Sequence, residues 1–364
     1  MKKLFILGII ILVGLVSVPI IWNSTDDLTT AGLVSFTPDP TGFGRGVTFS
    51  SDNAYMAVAH TTTPFVTIYK RSGDTFTKLA DPADLPAGTG AGVSFSSDNT
   101  YMAVAHATSP YVTIYKRSGD TFTKLANPAD GPNGDGYSCS FSSDTVYLAV
   151  AGSVTPYVNI YKRSGDTFTK LANPGDLPTG HARGVMFTSD DVYMVVVNTV
   201  SPYITIYKHS GDTFTKLADP NILPTGGANG VTISSNGNYL VVAHITSPYL
   251  SIYKRSGDTF TKLADPDDLL TSTGVGVSIS TDGTYLAGVN GLSPYLIVYK
   301  RSGDTFATAY PGILYNTTTG KLVDLLPTLF VIGIVVGVAG YLILKKKQKK
   351  KYIYLTKNKY RDLI

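Results

Sequence analysis

The stretch Tyr115-Lys116-Arg117-Ser118-Gly119-Asp120 (YKRSGD) sits between two short strand-like runs, Tyr111 to Lys116 (YVTIYK) and Thr121 to Ala126 (TFTKLA). Ser118-Gly119-Asp120 is a hairpin signal, because glycine and aspartate accept the positive φ that tight turns between strands need. The same wording starts at Tyr69, Tyr161, Tyr207, Tyr253 and Tyr299, in constant steps of 46 residues, and only His209 departs from it. Self-similarity at this period indicates either propeller blades or a solenoid.

Two further strands precede the quoted stretch within each unit. Gly92 to Ser96 (GVSFS) leads through a turn at Ser97-Asp98-Asn99 into Tyr101 to Ala105 (YMAVA). The latter is apolar throughout, as expected of a strand buried on both faces. A loop with Pro110 joins it to the third strand, and Lys124 charges the fourth, where an edge needs protection against unwanted pairing. Asn127-Pro128-Ala129-Asp130 links to the next unit. Helix-period patterning is absent from the repeat, which excludes a helical solenoid. Six units of four antiparallel strands, a to d, predict an all-β, six-bladed β-propeller.

GVSFSSDNTYMAVAH followed by TIYK resembles strands a, b and c of the WD40 and YVTN-type propeller repeats. The resemblance spans about residues 33–306. It lacks the Trp-Asp pair: Tyr-Lys stands in its place, and the chain's one tryptophan is Trp22. What it implies is a binding scaffold, with lactonase-type hydrolysis at the channel mouth known among YVTN-like propellers.

Composition fits this reading. Charged residues make up 15% of the 364, and one cysteine, Cys139, excludes an internal disulfide framework or a multi-thiolate metal site. The net charge of +4 belongs to the ends. Residues 345–364 carry +8, and Lys2 and Lys3 add +2, leaving −6 for everything between. That excludes a nucleic-acid-binding domain.

Leu4 to Trp22 is uncharged and long for a signal peptide, so residues 1–22 read as a signal-anchor, with a cleaved signal peptide as the alternative. Residues 325–344 (LLPTLFVIGIVVGVAGYLIL), ahead of KKKQKKK, read as a transmembrane helix with a stop-transfer flank. The expected organisation is then a propeller at 33–310, a juxtamembrane linker at 311–324, the span at 325–344 and a basic cytoplasmic tail at 345–364. Positive charge at both ends places the propeller on the extracytoplasmic side, with the lipid bilayer as a partner. Gly333 and Gly337 form a GxxxG pair that suits a homodimer contact between such helices.

No HExxH, CxxC, GxSxG or P-loop pattern occurs, and Gly88-Thr-Gly90-Ala-Gly92 has no helix after it to complete an anion site. Paired acids such as Asp81 and Asp84 read as turn residues. Positions that differ between near-identical units are the informative ones. Just before strand a stand Arg45, Ala91, Tyr137, Arg183, Asn229 and Val275; two residues earlier stand Phe43, Thr89, Asp135, His181, Gly227 and Thr273. Both sets ring the channel mouth on the face of the d–a links. Arg45, Tyr137, His181, Arg183 and Asn229 are the candidate ligand-binding residues, since arginine and tyrosine carry much of the binding energy at interfaces. His60, His106 and His244, at the end of strand b, read as structural. The opposite face presents Lys, Arg and Asp in every c–d turn, a partly self-neutralising surface.

The expected function is a membrane-anchored binding or adhesion module at the cell surface, with a protein or glycan ligand on the d–a face, no catalytic residue, no metal and no cofactor. A surface or receptor-binding protein of a virion or mobile element, and a lactonase-type hydrolase, are the alternatives. For ring closure, Leu33 to Pro38 is expected as the outer strand of the sixth blade, beside Tyr295 to Lys300, with Thr305 to Tyr310 as the competitor.

Overall fold

The computed structural model describes residues 36–37, 39–309, 314–316 and 321–323. Six four-stranded antiparallel sheets occupy residues 44–78, 90–124, 136–170, 182–216, 228–262 and 274–308, blades one to six, each in the order a-b-c-d. In blade two the strands are Gly90–Phe95, Tyr101–His106, Val112–Ser118 and Thr121–Lys124. Strand b is buried along its whole length in blades two to five, because it lies inside its own sheet and between neighbouring sheets. The c–d turn is closed by a glycine at positive φ (Gly119, +58°) where an added β-carbon would meet nothing within 4 Å, so backbone conformation is what selects it.

Neighbouring blades touch first at their inner strands. A β-carbon on Gly92 would lie 2.8 Å from the α-carbon of Ser138 on blade three, so this position keeps the two inner strands close. Farther out, each apolar core is shared by two consecutive blades: Tyr101, Ala103, Val112 and Ile114 of blade two pack with Cys139, Phe141, Leu148 and Val150 of blade three.

At the rim a polar clasp fastens each pair. The Tyr55 hydroxyl donates to the Asp120 carboxylate (2.6 Å), and Lys70 Nζ reaches the same carboxylate at 2.8 Å. Arg117 lies over the Tyr55 ring at 4.8 Å, and Phe122 meets the ring edge-on. The clasp recurs at Tyr101/Lys116 with Asp166, Tyr147/Lys162 with Asp212, Tyr193/Lys208 with Asp258, and Tyr239/Lys254 with Asp304. In blade four His209 replaces the arginine and stacks on Phe214. The lysine hydrogen bond, then that from tyrosine, holds each of these aspartates below the usual carboxylate range. The charged c–d face is therefore self-neutralising in a specific way, blade to blade.

Ring closure differs from expectation. Thr305–Thr308 pairs with Leu296–Ser302 as blade six's own strand d, whereas Phe36–Thr37 adds in parallel to Thr75–Lys78 of blade one. The physical reason is Phe306, 4% exposed, which fills the same socket as Phe122 or Phe260; loss of the Thr-Lys-Leu wording touches only the residues after this anchor. The orientation inferred from the N-terminal strand falls with it. Within the expected linker, Leu314–Asn316 and Lys321–Val323 form a short hairpin.

The flanking transmembrane helices are corrected as well. Among the described residues there is no helix, and so none long and apolar enough to cross a membrane. The segments 1–22, 325–344 and 345–364, with Gly333 and Gly337, lie outside the described residues. The described residues form strands joined by turns and loops, and the signal anchor, the membrane localisation, the bilayer partner and the helix-mediated homodimer gain no support from them.

Candidate functional site

The d–a links and b–c loops meet on one face through a repeated backbone bond. Residues two before the strand-a positions supply the acceptor: Ser153 N donates to Asp135 O, Thr199 N to His181 O, and Ile245 N to Gly227 O. This fixes the link while leaving its side chains directed outward. The b–c loops of blades one to five place an aromatic residue, such as Tyr111 or Tyr157, at positive φ after the proline, and its carbonyl accepts from the end of strand b. The mouth is thus a rigid rim carrying variable side chains.

Two of the five candidate residues, Tyr137 and Arg183, come together. Arg183, exposed at the start of blade four, lies over the Tyr137 ring of blade three at 4.5 Å. That contact orients a guanidinium without neutralising it. His181, two residues earlier and exposed, faces the ring of Tyr157 at 6.1 Å. Asn229 Nδ2 donates to Gly274 O across the boundary of blades five and six (3.0 Å), so its amide is committed to holding the rim. Arg45 stands apart on blade one, exposed and without a hydrogen-bond or ion-pair partner among the described residues. Tyr157 was missed by sequence reasoning, although an aromatic after the loop proline recurs in every unit and carries the signal.

The strand-b histidines are structural. His60, His106 and His244 are buried, and each Nε2 meets a strand-c hydroxyl: Thr67 and Thr113 at 2.9 Å, Ser251 at 3.1 Å. Burial lowers all three pKa values, that of His106 to about 4, so the rings are neutral. Burial also pushes the Cys139 thiol up to about 12. Among the described residues no group of three or more His, Cys, Asp or Glu side chains could hold a metal ion. What the mouth can do is bind an anion or polarise a carbonyl at Arg183 and move a proton at His181.

No protein-family model matches the sequence, and neither does any curated protein. Solved structures do share the fold. The periplasmic gluconolactonase of Pseudomonas aeruginosa is 16% identical, with 73% of this chain covering 84% of that one at a TM-score of 0.59. A putative 6-phosphogluconolactonase from Bacteroides fragilis is 14% identical (73% and 83% covered, TM-score 0.55), and another from Bacteroides uniformis 13% (73% and 84%, 0.58). The WD40 or YVTN repeat family itself is not established by these comparisons. Proteins named as lactonases carry this architecture, which goes against the expectation of a non-catalytic adhesion module; what the likeness shows of this chain is the β-propeller fold.

Proposed function

We propose that the chain is a lactone hydrolase of the propeller type, acting at the mouth formed by blades three and four. The observation that carries the reading is the exposed Arg183 guanidinium, held over the Tyr137 ring at 4.5 Å with His181 on the same link. The gluconolactonases among the solved structures supply the substrate class.

In this reading Arg183 donates hydrogen bonds to the lactone carbonyl oxygen, where negative charge grows as water adds. His181 accepts the proton of the attacking water. Collapse of the adduct breaks the ring C–O bond, and the proton passes to the released hydroxyl, giving a hydroxy acid. The product carboxylate stays opposite Arg183 until it leaves. Tyr137 is a positioning residue, which keeps the guanidinium aimed over the mouth.

Calorimetric titration with sodium gluconate tests the assignment through the product. Binding to the full chain is expected, with affinity at least tenfold weaker in Arg183→Ala, since a charge-assisted contact is lost. Equal affinity in the variant would place the ligand elsewhere and overturn the reading.

A further inference from the structure

The chain contains four Asn-Gly pairs, Asn133-Gly134, Asn229-Gly230, Asn236-Gly237 and Asn290-Gly291. An asparagine before glycine is prone to cyclise, because glycine has no side chain to screen its nitrogen and the backbone turns freely there. Folding suppresses that reaction wherever the carboxamide or the glycine N–H is held in place. Three of the pairs are held. Asn229 Nδ2 donates to Gly274 O (3.0 Å), and Gly230 lies within strand a of blade five, opposite Ala243. Asn236 Oδ1 accepts from Ser234 Oγ (2.7 Å) and from Asn238 N (3.0 Å), while Gly237 N donates to Ser234 O (2.8 Å). Asn290 is buried, with Oδ1 accepting from Leu292 N (3.0 Å) and Nδ2 donating to Pro294 O (2.9 Å).

Asn133 is different. It is exposed in a bend of the link before blade three, outside any strand. Neither its carboxamide nor the Gly134 N–H makes a hydrogen bond among the described residues. At the equivalent position four other units carry a threonine whose hydroxyl ties the link to the b–c loop of the blade that follows. Thr41 donates to Thr63 O, Thr179 to Val200 O, Thr225 to Ser247 O and Thr271 to Ser293 O. Asn133 replaces that tie. The glycine after it cannot be exchanged: a β-carbon on Gly134 would lie 2.5 Å from Val154 Cγ2 and 2.8 Å from Ser153 Oγ of the b–c loop. Close packing thus fixes the glycine, and unit three alone sets an asparagine before it.

We propose that Asn133 is a self-modification site, where the chain converts its own amide into an acid at the channel mouth. The Gly134 nitrogen gives up its proton to base and attacks Asn133 Cγ. The N–Cγ bond forms, the Cγ–Nδ2 bond breaks, and Nδ2 takes up a proton and leaves as ammonia. Water then opens the five-membered imide at either carbonyl. The product is an aspartyl link, or an isoaspartyl one with an extra methylene in the main chain. Water is the one co-reactant. Either product adds a negative charge two residues before Asp135, on the link that leads to Tyr137, the ring beneath Arg183. The net charge of the mouth therefore becomes more negative as the molecule ages.

Peptide mapping by mass spectrometry, with chemical detection of isoaspartate, tests this. The full chain is incubated folded, and in parallel in guanidinium chloride, in the same mildly alkaline buffer. In the folded chain Asn133 is expected to react at least about tenfold faster than Asn229, Asn236 or Asn290, while in denaturant the four should react within about threefold of one another. A folded-state rate at Asn133 no higher than at Asn236 would overturn the proposal. So would an equal lead in denaturant, since the neighbouring sequence and not the exposed, unbonded amide would then set the rate. Asn133→Thr, which puts back the residue natural at positions 179 and 225, should remove the acidic species that accumulates on anion exchange. Undiminished accumulation in this variant would place the reaction elsewhere and sink the assignment.

Discussion

Acidification should destabilise the propeller through its buried histidines, and His106 gives the amount. Its ring is fully buried against Thr113, and burial lowers its pKa from 6.5 to about 4. A depressed pKa in the folded state means the unfolded chain binds the proton first. The stability owed to the neutral ring is therefore whole above pH 6.5 and drains away as the pH falls toward 4. Between pH 7.5 and 4.5 the loss amounts to about 2–3 kcal/mol for this one residue. The natural asparagines Asn198 and Asn290 occupy the equivalent position in blades four and six, so His106→Asn is compatible with the fold. Urea unfolding of both chains at the two pH values reads the difference. The variant should lose about 2–3 kcal/mol less than the parent on acidification, while clasp aspartates such as Asp166 contribute equally to both. Equal losses would refute the assignment of His106 as a neutral, buried structural ring.

Removing the Tyr101 hydroxyl by Tyr101→Phe deletes its bond to Asp166 (2.7 Å) and to Gly165 O (3.0 Å) between blades two and three. The expected cost is about 1–3 kcal/mol in urea unfolding, since the acceptor is charged, and an unchanged midpoint would show that the clasp contributes nothing. Cys139 is buried with its thiol raised to about 12, so a maleimide should label the native chain at least a hundredfold more slowly than the urea-unfolded one. Rapid native labelling would contradict that burial.

Repeat architecture was legible because it rests on local signals: the constant 46-residue step, the glycine turns and the apolar strand b all reappear in the structure. Histidine at the end of strand b was legible too, since only three of six units carry it and a recurring metal site would need more. The clasp was not. Tyr55 and Asp120 are 65 residues apart, and a Lys-Arg-Asp turn reads equally well as solvated surface until neighbouring blades are placed side by side. Ring closure failed for a similar reason, because the wording of strand d was weighed over its single anchoring residue, Phe306. At the mouth, variation between units picked out Tyr137 and Arg183, which do meet, but gave Arg45 equal weight although blade two separates it from them.

Hydrolysis of δ-gluconolactone, followed by base uptake at constant pH, tests the proposed activity most directly. Turnover above the uncatalysed rate is expected in the natural chain. Arg183→Ala should slow it about a hundredfold, as for loss of one oxyanion donor, and His181→Ala, which deletes the proposed general base, should slow it by about a hundredfold or more. A natural chain that leaves the uncatalysed rate unchanged, or variants as fast as the parent, would contradict a lactone hydrolase centred on blades three and four.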